Sequence, residues 1–445
     1  MHYVIIGNGI TGITAARTIR KNSDHDITVI SGETDHFFSR TALMYIYMGH
    51  MRYKDTKPYE DWFWQKNKIA LKRAWVEQID SDNKSLRLSD DSTITYDKLL
   101  IASGSVPNKY GWPGQDLDGV QGLYSYQDLE MLEKNTANGI ERAVIVGGGL
   151  IGIELAEMLH SRHYSVTLLV RESKYWNNVL PDQESDMISR HFMEHGFDLR
   201  LGSELKEILD DGQGKVRGVI TASGEEIPCQ LVGLTAGVSP NIGWLAGSGI
   251  ATQRGILVDH HQRTNVEDIY AAGDCAQFHQ ALPDRRPVEQ VWYTGKIQGE
   301  NAAMNMLGRQ QAYAPGYWFN SAKFLDIEYQ TYGMVMPQLR EGEQDFYWED
   351  KGGKKCIHLV YRASDRLFIG INTFGIRMRH TVFNKWLKDR QTVDHVLQYI
   401  AAAAFDPEFF TNFQPDFLEA WNNAHPSYAV KPAKKKNLLQ LIFNN

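Results

Sequence analysis

The sequence predicts an α/β protein: two three-layer domains of parallel strands and helices, then a smaller domain of α+β character. Three observations carry that reading. The apolar run Tyr3-Val4-Ile5-Ile6 enters Gly7-Asn8-Gly9-Ile10-Thr11-Gly12, and a helix follows. The pattern returns where Ala143-Val144-Ile145-Val146 enters Gly147-Gly148-Gly149-Leu150-Ile151-Gly152. Beyond Gly316 the texture changes, with Tyr, Phe and Trp dense and alternating with polar residues, as antiparallel strands require. In each strand-turn-helix the first glycine allows a tight turn and the second lets the backbone approach a pyrophosphate. The third lets helix and strand pack closely, and the helix N-terminus faces the phosphate charge. One GxGxxG also serves ordinary strand-to-helix packing. Two in this context predict two Rossmann-like dinucleotide sites, and so electron transfer between two bound dinucleotides.

The elements follow in order. A helix is predicted from Thr11 to about Lys21, then the turn Asn22-Ser23-Asp24 and the strand Asp26-Ile27-Thr28-Val29-Ile30, ending at Glu33. Residues 70–100 read as short strands with polar turns, among them Ser85-Leu86-Arg87-Leu88 and the Asp90-Asp91 turn. Lys98-Leu99-Leu100-Ile101 is a buried strand running into Ala102-Ser103-Gly104, and the Pro- and Gly-rich stretch from Pro107 to Gly119 marks a domain crossing. The second unit continues through the strand Ser165-Val166-Thr167-Leu168-Leu169-Val170 and closes near Thr235-Ala236-Gly237. The chain then returns to the first domain near Gly255. The expected domains are therefore 1–114 together with 252–315, an inserted 115–251, and 316–445. In the last, strands precede a helical end and a basic tail, Lys431-Pro432-Ala433-Lys434-Lys435-Lys436.

Composition bounds the function. A chain of 445 residues suits two or three domains, and 42% hydrophobic content fills their cores. A formal net charge of −7, with both signs mixed, argues against nucleic acid as a partner. Cys229, Cys275 and Cys356 form no CxxC or CxxxxC pair, so neither a disulfide scaffold nor a zinc ribbon is expected. With the first strand starting at residue 3, no signal peptide is expected. No apolar run approaches the roughly 18 residues of a spanning helix, so the cytoplasm is the expected address. Oligomeric state is left open, a homodimer included.

Two carboxylates stand where dinucleotides need acceptors. Glu33 lies about 20 residues past Gly12, where it can accept hydrogen bonds from ribose hydroxyls; a solvated strand end is the alternative. Asp274 directly follows the apolar strand Ile269-Tyr270-Ala271-Ala272 and Gly273, where it can accept from a polyol such as the ribityl chain of a flavin.

The order GxGxxG, Ile101-Ala102-Ser103-Gly104, GxGxxG, Thr235-Ala236-Gly237, Ala272-Gly273-Asp274 resembles the flavin-dependent pyridine nucleotide-disulfide oxidoreductase superfamily. The resemblance spans about residues 1–310. It implies FAD at the first unit, on Gly7, Gly9, Ile10, Thr11, Gly12, Glu33, Ser103, Gly104, Gly273 and Asp274. It implies NADH or NADPH at the second, on Gly147, Gly149, Leu150, Ile151, Gly152 and Gly237. The turns after Ile101-Ala102 and Thr235-Ala236 would mark crossings between domains.

Departures from the superfamily are equally informative. Members that reduce disulfides carry a redox cysteine near residue 40, where this chain reads Phe37-Phe38-Ser39-Arg40-Thr41-Ala42-Leu43. The C-terminal His425-Pro426-Ser427 lacks the glutamate that disulfide reductases pair with it. Arg40 is instead similar to the basic residue by which the rubredoxin reductase, ferredoxin reductase and nitrite reductase flavin-subunit branch contacts FAD; a surface arginine capping a helix is the alternative. Glu154 matches a glutamate that pairs in relatives with a lysine near flavin N5. Tyr45 stands at the lysine's place, so the pair is expected to be absent, and Glu154 either touches the nicotinamide or is an exposed helix residue. Trp292 and Tyr293 precede a helix through Gly295 to Met306 whose N-terminus, by the resemblance, points at the flavin pyrimidine; core packing is the alternative for Trp292.

Three further features carry little. His191 and His195 have a spacing that can hold a metal on a helix, but no third ligand is evident in sequence, so no metal is expected and a solvated helix face is the reading. Cys275 is expected to be a small buried thiol. His260-His261 has no recognisable partner.

Coenzyme choice belongs after Val166-Thr167-Leu168-Leu169, where the chain reads Val170-Arg171-Glu172. Val170 stands where NADH users of the family often carry an acid, and Arg171 is similar to the arginine of NADPH users; Glu172, about 20 residues past Gly152, is the alternative that restores an NADH reading, and the balance leans to NADPH. The resemblance implies hydride transfer from NAD(P)H to FAD, then delivery to an acceptor without a cysteine relay. The expected acceptor is a small iron redox protein, of rubredoxin, ferredoxin or nitrite-reductase type. Two alternatives are a membrane-surface quinone reductase, using the basic-then-apolar stretch from Lys434 to Phe443, and a slow-turnover redox-sensing flavoprotein.

Overall fold

In the computed structural model, described here over residues 1–405 and 412–433, both glycine turns sit where a strand hands the chain to a helix. The basic and apolar stretch from Lys434 to Phe443 lies outside the described residues. Two compact units divide the chain: Met1–Gly147, Leu155–Val166 and Leu205–Pro315 form the first, and Gly148–Glu154, Thr167–Glu204 and Gly316–Asn445 the second.

The first unit is built on a parallel sheet in the order Ile269–Ala271, Lys98–Ile101, His2–Ile6, Asp26–Ser31, Ile69–Arg73. Its strands are near-continuous apolar runs because both faces are covered. Side chains alternate across it with the pleat. Tyr3, Ile5, Ile27, Val29, Leu100 and Tyr270 meet the helices Ile10–Asn22 and Trp292–Met306. Val4, Ile6, Ile30, Leu99 and Ile101 meet Ile79, Leu86 and Leu88 of the antiparallel strands Val76–Asp80, Ser85–Leu88 and Thr93–Thr95. Three layers result. The turns after His2–Ile6 and Ile269–Ala271 both leave the carboxyl edge of this sheet, the edge at which open α/β sheets bind ligands.

The same unit holds Arg142–Val146, the strand before the second glycine turn, paired in parallel with Leu231–Leu234, which pairs with Val120–Gln121. Ser105–Pro107 and Val238–Pro240, on the two stretches expected to be domain crossings, pair antiparallel with each other.

In the second unit Thr167 to Val170 pair in parallel with Asp198–Leu201. A five-stranded antiparallel sheet runs in the order Phe319–Phe324, Ile327–Gly333, Phe368–Phe374, Cys356–Arg362, Glu343–Glu349. One face packs Ile357, Leu359 and Ile371 against Phe383, Trp386, Leu397, Phe417 and Trp421 of the helices His380–Lys388, Val393–Ala403 and Gln414–Ala424. Strands and then helices are what the aromatic-rich sequence beyond Gly316 predicts.

On the opposite face the cross-strand partners His358 and Asn372 meet the helix Asp182–Glu194. The Asn372 amide donates to both oxygens of the fully buried Glu184 at 3.1 and 2.9 Å. His358 Nδ1 lies 3.2 Å from Glu184, and Nε2 lies 2.8 Å from Asp345. No helix among the described residues is long and apolar enough to cross a membrane.

Candidate functional site

The three glycines of the first turn have separate jobs. Gly7 adopts φ +106°, and a Cβ on it would lie 2.1 Å from the Ala102 carbonyl oxygen. A Cβ on Gly12 would lie 2.0 Å from the Gly7 oxygen. One on Gly9 would meet no atom of the described residues within 4 Å. The first and third glycines are thus fixed by backbone crowding, and the second fronts open space. Gly9 caps the helix Ile10–Asn22 without a side-chain hydrogen bond, so the orphan N–H groups of the first turn are left for an anion. Those features fit a pyrophosphate.

Thr11 stands at a crowded junction. Cβ atoms on Gly273, Gly295 and Gly299 would come within 2.4, 2.9 and 2.3 Å of its Oγ1, Oγ1 and carbonyl oxygen. The Gly273 N–H donates to Gln298 Oε1 at 2.7 Å, tying the Asp274 turn to the helix Trp292–Met306. The Asp274 carboxylate accepts from Ser105 Oγ at 3.2 Å and from the Tyr124 hydroxyl at 3.3 Å. Burial pushes its pKa up; Ser105, Tyr124 and the Arg40 charge pull in the other direction. Gln290 donates to Ser105 Oγ at 2.8 Å, and burial followed by the Asp274 charge raises the Tyr124 phenol.

Glu33 and Arg40, given separate cofactor contacts by sequence, form one ion pair. Arg40 donates to both Glu33 oxygens at 2.7 and 2.6 Å, and to the Tyr124 carbonyl at 2.6 Å. The Tyr126 N–H donates to Glu33 at 2.9 Å. Arg40 also lies over the Tyr124 ring at 4.6 Å, so it is no surface helix cap. Burial works against its charge, but the Glu33 carboxylate more than offsets this and its pKa is raised. Ser103 donates to the Asn241 carbonyl at 2.8 Å. Gly104 has φ +72°, with Tyr124 OH 2.8 Å from where its Cβ would be. Trp292 opens its helix at 37% exposure, edge-on to Tyr293, so it is not core packing.

Sequence reasoning missed Asn8, Ser105, Tyr124 and Gln290. Asn8 occupies a variable place within the glycine motif, yet it donates to the Thr34 carbonyl at 2.8 Å and accepts from Ser31 Oγ at 3.0 Å. Ser105 and Tyr124 flank a Pro- and Gly-rich crossing with no motif of their own.

At the second turn, Gly147 adopts φ +124° and its Cβ would lie 2.6 Å from the Thr235 oxygen. Gly237 is also left-handed, at φ +91°. In the second unit a Cβ on Gly149 would meet no described atom within 4 Å, whereas one on Gly148 would strike Val170 at 2.8 Å. The buried Tyr175 hydroxyl donates to the Gly149 carbonyl at 3.1 Å. The helix Leu150–Ser161 carries Leu150, Ile151, Gly152 and the half-buried Glu154. Arg171 donates to Glu172 at 2.9 Å, so the two candidates for coenzyme choice are a single pair.

All three cysteines are free and buried. Cys275 donates toward the carbonyls of Ala272 and Ile101 at 3.4 and 3.5 Å. Burial pushes the thiols of Cys229 (to about 12), Cys275 and Cys356 up, so none is poised as a thiolate. His191 is buried rather than on a solvated face, and Asp326 lies 2.6 Å from its Nε2. His260 meets the Gln280 carbonyl at 2.8 Å.

Residues 1–299 match the pyridine nucleotide-disulphide oxidoreductase family. A probable ferredoxin reductase of Castellaniella defragrans is 29% identical over 335 residues, 74% of this chain and 81% of its own length. The NADH-rubredoxin oxidoreductase of Clostridium acetobutylicum is 30% identical over 314 residues, 70% of this chain and 76% of its own. The crystal structure of a ferredoxin reductase from Rhodopseudomonas palustris shares the fold, with a TM-score of 0.77 over 94% of this chain and 99% of its own at 22% identity.

Proposed function

The chain belongs to the pyridine nucleotide-disulphide oxidoreductase family, as an FAD-dependent NAD(P)H oxidoreductase, and from that premise we propose that its electrons pass directly to a small iron redox protein of ferredoxin or rubredoxin type. The observation that carries this is Arg40: where disulfide-reducing members carry a thiol stands a guanidinium locked to Glu33, and every cysteine is buried. When bound, FAD would supply the chemistry that couples a two-electron hydride donor to a one-electron acceptor. The chain's own residues hold and orient. The Gly9 face and the first helix turn receive the pyrophosphate, and Asp274 takes hydrogen bonds from the ribityl hydroxyls. Glu33 turns its remaining lone pairs to the ribose, with Arg40 fixing its direction.

At the second turn Gly149 gives the nicotinamide nucleotide its approach. Arg171 meets the 2′-phosphate of NADPH once its bond to Glu172 opens, while Glu172 serves NADH. Trp292, open to solvent at a helix N-terminus, shields the ring system, and Glu154 orients the nicotinamide.

Anaerobic stopped-flow reduction by each nucleotide, followed by reoxidation with a ferredoxin, a rubredoxin or a quinone, tests the proposal. Flavin bleaching and fast reoxidation by one of the iron proteins is expected. Fast reoxidation by the quinone alone overturns the acceptor. Arg171→Ala should weaken NADPH selectively and Glu172→Ala should weaken NADH; equal effects on both nucleotides would show that neither side chain reads the ribose.

A further inference from the structure

The helix Asp182–Glu194 brings two histidines one turn apart, His191 in its last turn and His195 as its C-cap. Their rings lie 4.3 Å apart. The hairpin turn between Phe319–Phe324 and Ile327–Gly333, made by Leu325 at φ +57°, delivers Asp326 to both. Its Oδ1 is 2.6 Å from His191 Nε2 and 3.7 Å from His195 Nε2. One ligand atom from each of the three lies within 4.8 Å of the others.

We propose that His191, His195 and Asp326 bind a divalent transition-metal ion of the zinc type, with water completing the coordination. Two imidazoles and one carboxylate suit zinc, and by the usual affinity order copper or nickel, over magnesium or calcium, which prefer oxygen ligands alone. The proton position is already set at His195, whereas the buried Nδ1 of His191 has no hydrogen-bond partner among the described residues and is free to take the proton when Nε2 turns to a metal. His195 Nδ1 lies 2.9 Å from the His191 carbonyl oxygen, which can only accept. Nδ1 therefore carries the proton, and the Nε2 lone pair is left for a metal.

Ligand atoms around tetrahedral zinc sit about 3.4 Å apart, given bonds of about 2.0–2.1 Å. The Asp326–His195 gap is near that value, and the Asp326–His191 gap needs to open by less than an ångström. Asp326, at 58% exposure on a hairpin tip, has room to move and gives the ion a way in. Lys354 lies 3.6 Å from the other oxygen, Oδ2, leaving Oδ1 to the histidines. Bound there, the ion pins the end of the helix to the hairpin.

The test uses the full-length, FAD-loaded protein stripped with EDTA and titrated with Co2+ and then Zn2+. The wild type should develop the visible absorption of nitrogen- and oxygen-ligated tetrahedral cobalt at a single equivalent and lose it to zinc, and zinc should raise its Tm. His195→Gln and Asp326→Asn, both at partly exposed positions, should weaken cobalt binding by about 10-fold or more and abolish the zinc-induced Tm shift, each judged against the same variant without metal and at wild-type flavin content. Absence of the band and the shift in the wild type, or their persistence in both variants, overturns the site.

Discussion

Asp274 shows how a site residue is made by its surroundings. Its carboxyl is pushed up by burial and held by Ser105 and Tyr124, so it is a poorly solvated acceptor that gains from each further donor. Asp274→Ala should weaken FAD by about 1.5–3 kcal/mol, roughly 10- to 150-fold, the worth of a hydrogen bond to a charged group. Titration of the apoprotein with FAD measures this, and unchanged affinity would remove Asp274 from the site. The aspartate was legible from sequence because an apolar strand and a glycine announce it. Its donors were not, since Ser105 and Tyr124 arrive from segments whose register no local pattern specifies. Glu33 and Arg40 were each legible as charges, but that they face each other depends on a loop path the sequence does not spell out.

At the scale of elements, the glycines divide into those that pack and those that leave space. On Gly299 a Cβ would meet the Thr11 carbonyl oxygen at 2.3 Å, and backbone cannot step aside as a flexible side chain does. Gly299→Ala should therefore destabilise the apoprotein by about 1–3 kcal/mol, the usual cost of overpacking. Gly9→Ala should cost the apoprotein no more than about 1 kcal/mol, the preference for Gly over Ala at an N-cap, Gly9 having φ −71° and open space before it, and should weaken FAD. Denaturant melts of the apoproteins, paired with flavin titration, separate the two; unchanged FAD affinity in Gly9→Ala would mean its space is not a ligand's. Both Rossmann-like strand-turn-helix openings were readable because apolar runs and glycine spacing are local signals. The His191 neighbourhood was not, because its third member, Asp326, comes from a hairpin far along the chain.

At the scale of the whole molecule, pH acts on the charged cluster that the antiparallel sheet of the second unit buries around His358. Burial of the His358 ring opposes its charge, but Asp345 and Glu184 on either side raise its pKa to about 9. A group raised in the folded state stabilises fully below its unfolded value, near 6.5, and loses that contribution as pH rises through about 9. Thermal melts should therefore show Tm falling between neutral pH and pH 9.5, and His358→Gln should flatten that slope at a lower Tm; an unchanged slope would place the proton elsewhere. No reading of residues 316–445 by periodicity finds such a cluster. Alternation tells which positions share a face, but His358 and Asn372 sit on a face that reads as buried whether its occupants are polar or apolar.

The three sequestered cysteines have a pharmacological consequence. Relatives that work through a thiol near residue 40 are open to whatever captures thiols: alkylating agents, arsenicals, gold, peroxide. This chain offers such reagents no foothold while it is folded. Incubation with iodoacetamide should leave nicotinamide-dependent flavin bleaching intact until the protein is denatured, and inactivation of the folded enzyme would expose a reactive sulfur after all. The folded flavoprotein itself would thus withstand electrophiles and heavy metals that silence its sulfur-dependent cousins, and any sensitivity of the whole electron path would lie in its acceptor.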